Sequence, residues 1–316
     1  MALGAAARLR CVDLLAPESG FLDAPVVTDP SRVDADVAIL GVPHGMPYQR
    51  PGTTAGCAEA PAAVRARAHR LARFRGHHDF DLDGPMLPLG SVPRLVDLGD
   101  VPGDPADGVG NSGRAAAAVA ALLARGVVPV CIGGDDSVPI PILRAFDGHG
   151  PITVLQVDAH LDFRDEVDGV REGYSSPMRR ASEMPHVARI VHVGLRGVGS
   201  ARASDVADAR AAGNLLVTAR ELRERGVEAV LALLAPNERV FLSFDCDGLD
   251  PSIMPAVSAP SPGGLTYEQA AALLSGIGPR LVGAAFTEYV PALDRDGISA
   301  LVVTRLIITL LSGLGH

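Results

Sequence analysis

Two short acidic clusters are the part of this chain best suited to chemistry. They are Asp158-Ala159-His160-Leu161-Asp162, and Asp245-Cys246-Asp247 followed by Asp250, each directly behind an apolar run. Extended backbone sends alternate side chains to one face. Asp158, His160 and Asp162 can therefore converge at one strand end, and Asp245 with Asp247 at another. Carboxylates gathered this way repel one another and resist leaving water unless a cation lies between them. A pair of divalent ions would satisfy the arrangement. Two further acidic segments follow apolar runs, Gly133-Gly134-Asp135-Asp136-Ser137 and Thr287-Glu288. A donor set of oxygens with one imidazole suits Mn2+ and other hard or borderline ions better than a thiolate zinc site does. Two such ions about 3.5 Å apart can activate a shared water as nucleophile.

The elements that must position these residues are legible as an alternation. Apolar runs of strand length occupy 37–40, 127–132, 152–157, 190–193, 215–217, 240–244 and 282–286. Between them, 60–72, 113–124, 138–146, 203–211, 219–234, 266–275 and 299–311 carry helix formers at helical spacing. This is the pattern of βα units around a parallel sheet covered on both faces. Sites in such sheets form at the carboxyl ends of strands, where the four acidic segments can meet in one crevice. Ser137 and Thr266 are placed to cap or open helices. Residues 76–94 and 102–111 read as irregular loops. Arg179 and Arg180 read as a solvated helix face or a contact between subunits, and His192 as a satisfied core histidine.

Composition narrows the function classes. The net charge of −9 arises from 28 Lys and Arg against 37 Asp and Glu. With no basic stretch, nucleic-acid partners have little support. Gly133-Gly134 lacks a following lysine and sits among acids, so it is no phosphate loop. The four cysteines are scattered, without metal or disulfide spacing. No run approaches the roughly 18 apolar residues of a membrane span, and the alanine-rich first ten residues make a poor signal peptide. The expected location is the cytoplasm.

Taken together, Gly133–Ser137, Asp158–Asp162 and Ser243-Phe244-Asp245-Cys246-Asp247-Gly248-Leu249-Asp250-Pro251 resemble the ordered signatures of the ureohydrolases, the arginase and agmatinase family. The trailing Ala259-Pro260-Ser261-Pro262-Gly263-Gly264-Leu265-Thr266 is similar to its agmatinase-like branch, and the likeness extends over roughly 35–311. It implies a three-layer αβα sandwich with a central eight-stranded parallel sheet. It further implies a single domain over 1–316, on which 1–34 pack as an N-terminal extension. Two divalent ions, Mn2+ first and Ni2+ second, would be held by Asp136, Asp158, His160, Asp162, Asp245 and Asp247. A metal-bridging hydroxide would attack a guanidinium carbon, Asp162 would relay the proton, and Glu288 would bind the planar cation. The products are urea and an amine. Relatives of this kind assemble as homo-oligomers, trimers or hexamers.

Two positions depart from the family pattern. The family loop has histidine where this chain has Asp136, and no histidine stands in Glu172-Gly173-Tyr174-Ser175-Ser176, where relatives keep a proton shuttle; Tyr174 or Ser176 could substitute. Arginine itself is a poor substrate candidate, because the family's arginine-recognising loop is not recognisable. A formiminoglutamate-type hydrolase would need a cationic pocket, against which Asp165, Glu166 and Asp168 weigh. A third reading is a non-catalytic relative with a binding or assembly role. Asp136 makes the site one charge unit more negative than histidine would, which raises the pKa of an activated water. The pH–activity profile is therefore expected to rise toward alkaline pH, and activity already flat at pH 7 would contradict this.

Overall fold

Alternation within each apolar run sorts its side chains into two separate cores. In β1 (Val37–Val42), Val37 and Ile39 enter one cluster while Ala38, Leu40 and Val42 enter the other. In β4 (Ile152–Val157), Leu155 and Val157 separate from Ile152 and Val154 in the same way. That period of two is the pleat itself, and fully apolar strands follow from cover on both faces. The remaining main strands are β2 (Leu95–Asp100), β3 (Val128–Gly133), β5 (Val187–Leu195), β6 (Leu215–Thr218), β7 (Val240–Asp245) and β8 (Leu281–Thr287). The computed structural model describes residues 12–46, 48, 55–87 and 93–314. The strands form one eight-stranded sheet in the order β2-β1-β3-β8-β7-β4-β5-β6, with every neighbouring pair parallel.

Helices cover both faces, giving the expected αβα sandwich. Side chains of α2 (Gly108–Leu123), α3 (Pro139–Arg144), α4 (Pro177–Ser182) and α5 (Ala203–Ala211) enter one core. The other core takes side chains from α1 (Ala60–Ala72), α6 (Ala219–Arg225), α7 (Val227–Leu231), α8 (Tyr267–Ile277) and α9 (Ile298–Gly313). Thr266 caps α8 reciprocally with Gln269, through Gln269 N to Thr266 Oγ1 at 3.2 Å and Thr266 N to Gln269 Oε1 at 3.0 Å. Among the described residues no helix is long and apolar enough to cross a membrane.

Several elements differ from the pattern reading. The stretch expected to be one helix over 219–234 breaks at Gly226, whose φ of 81° interrupts the helix between α6 and α7. The helix expected at 113–124 begins earlier, at Gly108, because Asp107 accepts a bond from Gly110 N. Within 76–94, His78–Asp79 pairs with Gly84–Pro85 as a small antiparallel hairpin. Ser137 caps no helix: its hydroxyl donates to Asp135 and accepts from Met46 N at 2.6 Å. Helix α4 lies outside the helical spans read from spacing, and Arg180 is not on a solvated face of it. Arg180 is buried and pairs with Asp165 at 2.6 Å and Glu183 at 2.9 Å, while Arg179 pairs with Asp208 at 2.8 Å.

Strand β2, with two aspartates and a glycine, gave no apolar run to read. Asp97 is fully buried there because Arg65 of α1 bonds it through Nε at 2.8 Å and Nη2 at 3.0 Å, while Nη1 reaches Asp100 at 2.5 Å. Asp97 also accepts from Phe21 N at 2.8 Å, and Leu15 and Asp100 exchange backbone bonds at 2.8 Å. Residues 12–34 thereby cover what would be an open sheet edge. Replacing Arg65 by Met strands the buried Asp97 carboxylate, so it is expected to cost about 3–5 kcal/mol, read as a lower denaturant midpoint in equilibrium unfolding.

Candidate metal centre and substrate pocket

The acidic segments follow β3, β4, β7 and β8, and these strands are consecutive in the sheet as β3-β8-β7-β4. Their carboxyl ends open on a cavity of about 330 Å³ lined by Asp136, His160, Asp162, Asp245, Asp247 and Glu288, with Tyr174, Ser175, Val198, Gly199, Ser200, Ser258 and Ala259. Asp158 is fully buried behind them. Side-chain donors of Asp158, His160 and Asp247 lie within 4.8 Å of one another, and so do those of Asp136, Asp158 and Asp162. Asp158 belongs to both groups. Asp245 lines the cavity but belongs to neither group; its Oδ1 accepts from Asp247 N at 2.7 Å and so orients the following acid.

Each side chain has a local support. Asp136 Oδ1 accepts from Thr287 Oγ1 at 2.7 Å, while its Oδ2 is buried with no hydrogen-bond partner. A buried carboxylate oxygen left unpaired needs an explanation, and a cation between Asp136, Asp158 and Asp162 supplies one. The backbone N of Asp136 donates to Glu288 Oε1 at 2.9 Å, and the Cys57 thiol approaches Glu288 Oε2 at 3.8 Å. Asp162 and Glu288 both have left-handed backbone, with φ of 46° and 63°. Such strain costs of order 1–3 kcal/mol per residue and persists only where neighbours hold it. The amides of Met178 and Arg179, opening α4, bond the Asp162 carbonyl at 3.2 and 3.3 Å, and Glu288 N donates to Gly134 O at 3.0 Å. A Cβ on Gly134 would meet Pro43 O at 2.3 Å, and one on Gly199 would meet the His160 ring at 2.5 Å. Both glycines therefore set close approaches at the site.

Electrostatics without an ion are unfavourable. Burial first, and the neighbouring carboxylate Asp158 second, push Asp136, Asp162 and Asp247 above the usual carboxylate range, and burial with Asp247 does the same to Asp245. Burial, then Asp135, pushes Glu288 up to about 8. Burial opposes charge on His160, but bonds to Asp158 and Asp247 outweigh it and raise it to about 11. Asp158 is held low because His160 outweighs the cost of its burial. His160 Nδ1 stands 3.0 Å from Asp247 Oδ2, so its proton occupies the place a cation would take, as ligands release protons on binding metal. Oxygen donors plus one imidazole, in two groups sharing an acid, fit a pair of divalent ions.

Some site residues carry no sequence signal. The hydroxyl of Tyr48 accepts from Ser175 N at 3.2 Å and its ring packs edge-on against Tyr174 at 4.5 Å, propping the rim of the cavity. Tyr174 lines the cavity, whereas Ser176 is fully buried and does not. Asp165, Glu166 and Asp168 are absent from the lining, and Asp165 pairs with Arg180 and Arg171. They therefore do not touch the cavity directly. Asp250 forms a turn, accepting from Ser252, Gly263 and Gly264 N. His44 is half-buried against Gly103 and does not line the cavity; Arg50, Pro51 and Gly52 lie outside the described residues.

The sequence profile of the arginase family matches residues 35–313. The chain belongs to the arginase family. This arginase-family chain is 34% identical over 300 residues to the guanidinopropionase of Pseudomonas aeruginosa, covering 92% of this chain and 90% of that protein. Its fold superposes on proclavaminate amidinohydrolase from Streptomyces clavuligerus with a TM-score of 0.83 at 28% identity, over 95% of this chain and 99% of the other. The Trypanosoma cruzi formiminoglutamase with Mn2+ superposes at 0.77 with 27% identity, over 89% and 94% of the two chains.

Raised acid pKa values in the folded state mean that folding is best supported at low pH. That support is lost as pH climbs from the free carboxylate range, near 4, through about 8 for Glu288, and the raised His160 acts in the same direction. Metal-stripped protein is expected to melt at lower temperature at pH 8 than at pH 5. Added Mn2+ should raise the melting temperature most at pH 8, and a pH-independent melting temperature would contradict the charge crowding.

Proposed function

We propose that this protein hydrolyses a C–N bond of a small guanidino compound, agmatine-like, a guanidino acid or guanidine, to release urea and an amine. The carrying observation is the pair of carboxylate groups sharing Asp158 in one cavity with Glu288. Asp136, Asp158, His160, Asp162, Asp245 and Asp247 would hold two divalent ions, Mn2+ first and Ni2+ second. When bound, the ions would lower the pKa of a water and so supply the nucleophile, at higher pH here than with histidine in place of Asp136.

The chain's own residues do the rest. The Glu288 carboxylate, fixed by the Asp136 amide, orients the planar cation by paired charge-assisted bonds. A cationic substrate beside it favours the ionised carboxylate, counteracting the burial that raises its pKa. Asp162 accepts the proton of the attacking water and returns it to the leaving amine. Tyr174, on the cavity wall, is better placed than Ser176 to stand in for the absent histidine shuttle. A formiminoglutamate-type substrate is disfavoured, because the described lining residues include no arginine or lysine to meet its carboxylates, and the same lack ranks a guanidino acid below agmatine or guanidine.

Urea release is expected from at least one member of a panel of guanidine, agmatine, 3-guanidinopropionate and 4-guanidinobutyrate, assayed with Mn2+ or Ni2+. No turnover of any, with metal shown to be bound, would defeat the proposal. Glu288→Gln should lower kcat/KM by about 10²–10³ while leaving metal uptake intact. Asp136→His separates an adapted site from a degenerate one: activity appearing only in the variant would mark the natural site as non-catalytic.

A further inference from the structure

The sheet interior carries a second run of polar groups behind the acids. Gln156 of β4 and His192 of β5 face each other in register, almost wholly buried, and Asn214 lies just before β6. Gln156 Nε2 is 2.7 Å from Asp158 Oδ2 and 3.3 Å from Asp162 Oδ2. Gln156 Oε1 meets His192 Nδ1, and Asn214 Nδ2 stands 3.2 Å from His192 Nε2. The chemistry of the ends sets the direction of the row. Ionised carboxylates only accept, so the Gln156 amide turns its NH2 toward them and its carbonyl toward His192. His192 then carries its proton on Nδ1, and its Nε2 accepts from Asn214. Burial keeps this imidazole neutral, pulling its pKa down to about 3. Every donor points toward Asp158 and Asp162, and such chains strengthen each member bond.

A glutamine and a histidine here take buried positions between apolar neighbours, Leu155 and Val157 on β4 and Val191 and Val193 on β5, at a cost unless the bonds are made. A core row needing only internal satisfaction would not have to end on two acids of the metal groups. We infer that Gln156, backed by His192 and Asn214, is a positioning residue that locks the relative orientation of Asp158 and Asp162 and thereby sets the affinity for divalent cations. The inference rests on the metal reading above. Because Asp158 belongs to both ligand groups, releasing it loosens both at once.

Calorimetric titration of Mn2+ into chelator-stripped wild type, Gln156→Met, His192→Leu and the double variant tests this, with circular dichroism and melting curves beside it. Gln156→Met is expected to remain folded and to weaken Mn2+ binding by about 10- to 100-fold. His192→Leu should weaken it less, and the double variant no more than Gln156→Met alone, since both cut one chain. A lowered melting temperature with Mn2+ affinity within twofold of wild type would show a core role only and overturn the inference. Should Gln156→Met fail to fold, His192→Leu decides by the same twofold criterion. Wild-type protein that takes up no Mn2+ would overturn the metal reading and this inference together, whereas equal binding by wild type and Gln156→Met overturns this inference alone.

Discussion

Negative charge concentrated at one end of an apolar sheet is the constraint around which this chain is arranged. Asp136, Asp158, Asp162, Asp245 and Asp247 are all buried in one cluster, and among the described residues the ion pairs within it are those of His160 with Asp158 and Asp247. Arg196 lies near, but its guanidinium is committed to the backbone carbonyls of Gly194, Asp247, Gly248, Leu249 and Ser261. It fastens the loop after β7 to the neighbouring turn, and its charge acts on Asp247, Asp158 and Asp245 only through space. Ions buried without partners cost several kcal/mol each, so keeping these groups together is costly unless a counter-charge joins them.

The remaining architecture makes that concentration mechanically possible. Apolar strands packed on both faces give a rigid platform, and their parallel direction delivers every loop of interest to the same rim. At that rim Asp162 and Glu288 carry left-handed backbone, which the α4 amides and the Gly134 carbonyl hold in place. These are the residues assigned the proton relay and the cation clamp. Rigid elements carrying strained site residues are a means of presenting side chains in geometries that a loop would not retain.

Legibility in the sequence followed the range of the interactions involved. The strand ending in Asp158 and the caps of α8 depend on neighbours within a few residues, and pattern reading locates them. Strand β2 was invisible because the partner that lets Asp97 be buried, Arg65, lies far away in the chain. Helix α4 and Tyr48 were missed for the same reason: their roles are to support Asp162 and Tyr174, and no spacing records that. Gln156 hid inside an apolar run, where a lone amide resembles noise until its partners on β5 and before β6 are known.

Residue types and spacing alone were enough to establish an α/β chain with acids behind its strands and the ligand chemistry those acids suit, because side-chain alternation and charge are local properties. Strand order was beyond them. That β3, β8, β7 and β4 stand side by side, so that Asp158 is shared between two groups and Glu288 reaches the Asp136 amide, depends on crossovers between distant segments. Packing of the two apolar faces selects those crossovers, and only the packed sheet turns separate acidic turns into one cavity.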